Sequence, residues 1–222
     1  MPERRRSVLL SRGFLRRPPV RRANERILIV CEGEKTEPDY FESLREFLSL
    51  HGADVVIPEN LVGNNPMSVV ECALQEYKKE KIDRYDAVFC VFDRDRHPDY
   101  ANAMSRIAAI KLKGGGTLHA IPSVPCFEFW ILLHFVRTTR PFESAEGSHC
   151  DSVIRELKKH LPGFRKGKGV FDLVKDRTED AIDNAKKVEI FHETSRTDNP
   201  STKVHVLVLR MREMAEKARE IK

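Results

Sequence analysis

Two stretches of this chain limit its fold more than any other feature. Ile27-Leu28-Ile29-Val30-Cys31 and Ala87-Val88-Phe89-Cys90-Val91-Phe92 are continuous apolar runs, too short for buried helices and rich in β-branched and aromatic residues. A strand with one wet face alternates apolar and polar residues, whereas an unbroken run is buried on both faces, as in a parallel sheet covered by helices. Asp54 to Pro58 and Thr117 to Ile121 supply two further strand signals, the second after the Gly114-Gly115-Gly116 break. Between them lie helical stripes. Tyr40, Phe41, Leu44, Phe47 and Leu48 share one face of a helix over 38–50. Val69, Val70, Ala73, Leu74 and Tyr77 share one face of a helix opened by Pro66, with Asn65 as its cap, and a third helix spans 98–111. Strands alternating with helices predict βαβ units and a mainly parallel, four-stranded α/β sheet.

The second half reads differently. Helical patterns cover 127–135, 150–160, 176–193 and 201–221, and no strand stands out. The expected organisation is a basic, flexible arm over 1–25, an α/β core over 26–125 and a helical elaboration over 126–222 packed on that core. At 222 residues the chain is long enough to bury a substantial interior.

The acids sit where such a sheet places its chemistry. The first strand runs into Glu32-Gly33 and the third into Asp93-Arg94-Asp95. Ligands of open parallel sheets bind beyond the carboxyl ends of the strands, at the point where strand order reverses. With strand order 2-1-3-4 the first and third strands are neighbours, so Glu32 faces the Asp93/Asp95 pair. Clustered carboxylates repel unless a hard cation joins them. Mg²⁺ (or Mn²⁺), as one ion or two, takes a few carboxylates together with phosphate and water and assists phosphodiester cleavage. An Asp-x-Asp after a strand more often caps the next helix or shapes a turn. It is the pairing of Glu-Gly with Asp-x-Asp on adjacent strands that points to metal.

Those motifs resemble the two acidic motifs of Toprim domains. Longer strings resemble the RloB-like family, related to the OLD-type nucleases: Cys31-Glu32-Gly33-Glu34-Lys35-Thr36-Glu37-Pro38-Asp39-Tyr40-Phe41, then Ser123 through Phe135, then Asn199-Pro200-Ser201-Thr202. The resemblance covers about 26–210. It implies a small metal-dependent nuclease of prokaryotic antiphage-defence or restriction-modification loci, acting on DNA or RNA (tRNA included) with an ABC-type ATPase partner of the RloA kind. OLD-type nucleases carry a second acid four residues after the first glutamate. Here that position is Thr36, which leaves Glu34 or Glu37 to supply it.

Other residues carry two readings each. Glu128 opens an apolar helix, where the helix dipole alone accounts for it, yet the end of the fourth strand lies beside the metal edge and the family string includes it. His134, on the same helix, reads as a core histidine. Lys35 is placed to stabilise a phosphate or a developing charge, or is a plain surface lysine. Arg94 and Arg96 either hold a phosphate or balance local charge. Gly163-Phe164-Arg165-Lys166-Gly167-Lys168-Gly169 reads as a substrate-contact loop, although it lacks the P-loop spacing. Asn199 to Thr202 reads as the cap of the last helix.

Composition adds three points. Nine arginines fall within the first 26 residues, Arg16, Arg17, Arg21 and Arg22 among them, opposed only by Glu3 and Glu25; such an arm either neutralises nucleic-acid phosphate or serves as a solvated tail. Cys31, Cys72, Cys90, Cys126 and Cys150 form no C-x-x-C pair and read as small buried hydrophobes, with neither a zinc site nor a disulfide framework. No apolar run approaches 20 residues and the N-terminus has no signal-like apolar region, so a cytoplasmic protein without membrane contact is expected. A homo-oligomer stays open. Two competing functions remain: a non-catalytic nucleic-acid-binding or adaptor subunit, and a flavodoxin-like receiver, which the helical second half and basic arm disfavour.

Overall fold

The computed structural model describes residues 25–52, 54–58, 65–80, 84–145, 147–167 and 169–220. Its centre is a five-stranded sheet of order β2-β1-β3-β4-β5, built from β1 (Ile27–Cys31), β2 (Val55–Val56), β3 (Ala87–Asp93), β4 (Thr117–Val124) and β5 (Ser201–Thr202). The first four strands are parallel in the expected 2-1-3-4 order, and β5 is antiparallel to β4. The sheet therefore has one strand more than the sequence pattern predicts, and the C-terminal half is not purely helical. A two-residue strand leaves no periodicity to read, so β5 was invisible in the sequence; it is held by register with Ser123 and Val124 and by a 3.0 Å hydroxyl contact between Ser123 and Thr202.

β1 and β3 are buried along both faces, as their composition requires. Ile27, Ile29, Cys31, Phe89 and Val91 face one core; Leu28, Val30, Val88, Cys90 and Phe92 face the other. The second, smaller core is closed by α2 (Pro66–Lys79) and α3 (Tyr100–Ala109). α2 begins as its sequence dictates: the Asn65 side chain accepts from the Ser68 N–H while Ser68 Oγ accepts from the Asn65 N–H, and Pro66 fills the first turn.

The larger core lies under α1 (Thr36–Phe47) and the C-terminal helices α4 (Glu128–Leu133), α5 (Cys150–His160), α6 (Val170–Val174), α7 (Thr178–Ser195) and α8 (Val204–Glu220), with a 3₁₀ turn at Lys175–Arg177. Tyr40 is its hub, meeting Phe41, Phe127, Trp130 and Phe171 edge-to-face at 5.3–6.4 Å between centroids. Pairs of this kind add about 0.5–1.5 kcal/mol each beyond burial. They lock α1 and α4, which carry the next acids, to one side of the sheet. Thr202 Oγ1 accepts from the Val204 N–H, so the expected capping of the last helix is present. Among the described residues no helix is long and apolar enough to cross a membrane.

Candidate metal centre

The carboxyl ends of β1 and β3 open into a cavity of about 520 Å³. Glu32, Glu34, Lys35, Glu37, Asp93, Asp95, Glu128 and Lys166 line it, with His97, Ser148, Cys126 and Cys150. Register places the first two acids: Cys31 pairs with Val91, the Glu32 N–H continues the ladder to the Val91 carbonyl at 2.9 Å, and the Asp93 N–H returns a 2.9 Å bond to Glu32 Oε2. Side-chain alternation along β3 turns Asp93 toward the same face as Phe89 and Val91, where α1 and α4 present Glu37 and Glu128.

Glu37 is buried against Gly33. A Cβ on Gly33 would lie 2.0 Å from Glu37 Oε2, so glycine follows Glu32 because a carboxylate occupies the space of its missing side chain. Glu128 is 2% exposed and ion-pairs with Lys166 at 3.0 Å. His97, which the sequence did not single out, brings Nε2 to 3.0 Å from Glu32 Oε1. No pattern marks this histidine; the turn after Asp95 delivers it.

These acids destabilise one another's charges. Burial, then the fields of Glu37, Glu128 and Glu32, holds the Asp93 carboxyl well above the usual carboxylate range. Burial and then Glu128 push Glu37 up to about 7. Burial also raises Glu32, against the opposing pull of the Asp93 N–H and His97. Lys166 is the cation set among them. Desolvation acts against its ammonium, but Glu128, Asp93 and Glu37 override that and hold its pKa above the ordinary lysine value. Four carboxylates facing one ammonium are a donor set suited to a hard divalent cation. The oxygens of Glu32, Asp93, Asp95 and Glu37 are not, however, gathered into a compact ligand group. Among the described residues the group of three donors whose ligand atoms all fall within 4.8 Å of one another is Cys126, Glu128 and Cys150.

Asp95 lines the cavity and also holds a turn of the C-terminal half. Its backbone, at φ 26°, bonds the Pro125 carbonyl, and its two oxygens accept from Ser148 Oγ (2.6 Å) and the His149 N–H (2.9 Å), just ahead of α5. Arg94 ion-pairs with Asp198 at 2.6 Å and Arg96 donates to the Ser144 carbonyl at 2.7 Å, so both tie the β3 turn to the C-terminal half and neither lines the cavity. The glycine-rich loop folds back on α1: the Gly167 N–H donates to Thr36 Oγ1 and the Gly169 N–H to Asp39 Oδ2. Its glycines serve backbone conformations at φ 130° and 79°. Of its basic residues Lys166 enters the cavity and Arg165 is exposed away from it, while Lys168, like Arg16, Arg17, Arg21 and Arg22, lies outside the described residues. Thr36 anchors this loop.

The cysteine expectation needs correcting. Cys126 and Cys150, 24 residues apart, are joined as a disulfide at the cavity wall, and Cys72 is only half-buried; Cys31 and Cys90 are the buried thiols expected. Pairing across that distance depends on α4 and α5 meeting in space, which spacing in sequence does not reveal.

The model of the RloB-like protein family matches residues 27–211. The chain belongs to the RloB-like family. No curated protein and no solved structure matches it. The match in this RloB-like protein covers every residue of the cavity and leaves out the basic arm.

Proposed function

We propose that this RloB-like protein is a Toprim-type nuclease that hydrolyses phosphodiesters of DNA or RNA with Mg²⁺ or Mn²⁺. The observation carrying this reading is the convergence of Glu32, Asp93, Glu37 and Glu128 at the carboxyl edge of β1 and β3, each close enough to disturb the ionisation of another. Glu32, Asp93 and Glu37 would hold the cation. When bound, it would neutralise their charge and supply Lewis-acid activation of water and phosphate.

The chain's own groups do the rest. His97 orients Glu32 through its 3.0 Å contact. Lys35 and Lys166, at the cavity lining, meet the phosphate oxygens. Asp95 acts at one remove by fixing the Ser148–His149 turn that walls the site. The basic arm adds affinity for the nucleic-acid backbone, and the partner in this reading is an ABC-type ATPase of the RloA kind in an antiphage-defence setting, in the cytoplasm.

The test is a cleavage panel of plasmid, single-stranded DNA and total tRNA with Mg²⁺ or Mn²⁺, with and without the ATPase. Wild type is expected to cut at least one substrate, and Asp93→Ala to lose at least about 100-fold in rate while keeping its fold, since a metal-held transition state loses several kcal/mol. Equal cutting by Asp93→Ala sinks the proposal. The adaptor reading has one observation in its favour, the loose spacing of the acidic oxygens beside the compact Cys126–Glu128–Cys150 group. Nucleic-acid or ATPase binding with no cleavage under any of these conditions would select it.

A further inference from the structure

The wall of the cavity holds a second donor set of different chemistry. Cys126 follows β4, Glu128 opens α4 and Cys150 opens α5, all three buried, and one ligand atom from each lies within 4.8 Å of the other two. Cys150 Sγ is 3.0 Å from Glu128 Oε2. A disulfide sulfur has no proton to donate and no charge to offer, so this approach to a carboxylate oxygen gains nothing in the oxidised pair. With the bond open the same approach is favourable, either as a thiol proton directed at the carboxylate or as two ligands of one cation.

We propose that the reduced Cys126 and Cys150, with Glu128, form a site for a thiophilic divalent cation of the Zn²⁺ class, and that the disulfide closes this site. Two thiolates and one carboxylate make a three-ligand set, and all three residues line the cavity, from which a fourth ligand would come. Glu37 and Asp93 line the same cavity as the three donors. Lys166 now pairs with Glu128, but its side chain is 55% exposed and is able to swing into solvent when a dication takes its place.

The chemistry balances. A dithiol reductant transfers two electrons and two protons to the Cys126–Cys150 bond and is itself oxidised to a disulfide. The entering cation then displaces the two thiol protons to solvent. Reoxidation by a disulfide of the same class expels the cation. None of these three steps requires hydrolysis of nucleic acid.

Titration of the reduced, metal-free full chain with Co²⁺ tests this. The expected result is one Co²⁺ per chain with a thiolate-to-cobalt charge-transfer band in the near ultraviolet. The band should be lost in Cys126→Ser and Cys150→Ser, retained in Cys72→Ser and Asp93→Ala, and weakened about 10-fold or more in affinity in Glu128→Gln. Reoxidation of the wild type should abolish the band and reduction restore it, a comparison that needs no variant to fold. A reduced wild type with no band overturns the proposal, as does a band that survives Cys150→Ser or reoxidation. Because Asp93→Ala removes cleavage but not this band, the site and the nuclease reading fail independently.

Discussion

At the scale of single residues, the acids are legible from type and position, but their partners are not. Glu32 and Asp93 follow apolar strands that fix their place. Gly33 looks like ordinary turn punctuation, yet its missing Cβ makes room for Glu37. Gly33→Ala should therefore leave stability nearly intact, because the obstructing atoms are the end of a flexible side chain. It should lower Mg²⁺ affinity about 10-fold by turning Glu37 away. Calorimetric titration beside a thermal melt separates the two effects, and unchanged Mg²⁺ affinity would remove Glu37 from the ligand set. Of the two acids that could stand second in the proposed centre, Glu37 is buried in the cavity with its charge suppressed, while Glu34 is exposed.

At the scale of elements, the turn after β3 does more than present acids. Asp95 in Asp-x-Asp invites reading as a metal ligand or as a cap on the next helix. It also anchors the segment leading into α5, more than 50 residues away. Asp95→Ala should cost about 2 kcal/mol, from two lost hydrogen bonds to a carboxylate and a non-glycine residue left at positive φ. Asp95→Asn keeps one acceptor and tolerates that backbone, so its denaturation midpoint should fall between the other two. Mg²⁺ affinity should stay near wild type in Asp95→Asn and drop sharply in Asp93→Asn. Equal losses in the two would return Asp95 to the metal shell.

At the scale of the whole molecule, the larger core holds a buried histidine with consequences for acid stability. His134 packs edge-to-face on Trp130, its Nδ1 faces the Trp130 carbonyl at 3.0 Å, and its Nε2 is buried with no hydrogen-bond partner among the described residues. Burial lowers its pKa to about 4 from an ordinary 6.5. Below about 6.5 the unfolded chain takes a proton that the folded chain refuses until about 4, so stability present at neutral pH is lost as pH falls through this window. The loss from this residue is about 2 kcal/mol between pH 7 and pH 5. Urea melts of wild type and His134→Asn across that range should differ in pH slope by roughly this amount. Parallel slopes would show that His134 does not titrate as its surroundings dictate.

The sequence by itself determined the mainly parallel sheet and the Asn65 cap, and it placed Glu32 and Asp93 at strand ends that meet once the strand order is 2-1-3-4. These follow from local rules: unbroken apolar runs demand burial on both faces, helices must cover them, and adjacent strand ends share one edge. Tertiary structure decided what depends on contacts between distant segments. β5 exists only by pairing with β4, and His97 reaches Glu32 through the course of a turn. Cys126 meets Cys150 only because α4 and α5 pack together, and Lys166 enters the cavity only because Gly167 and Gly169 bond back to α1. A residue type and a spacing carry no record of which remote backbone will arrive beside them. The acidic edge could therefore be read from the sequence, while the wall that encloses it could not.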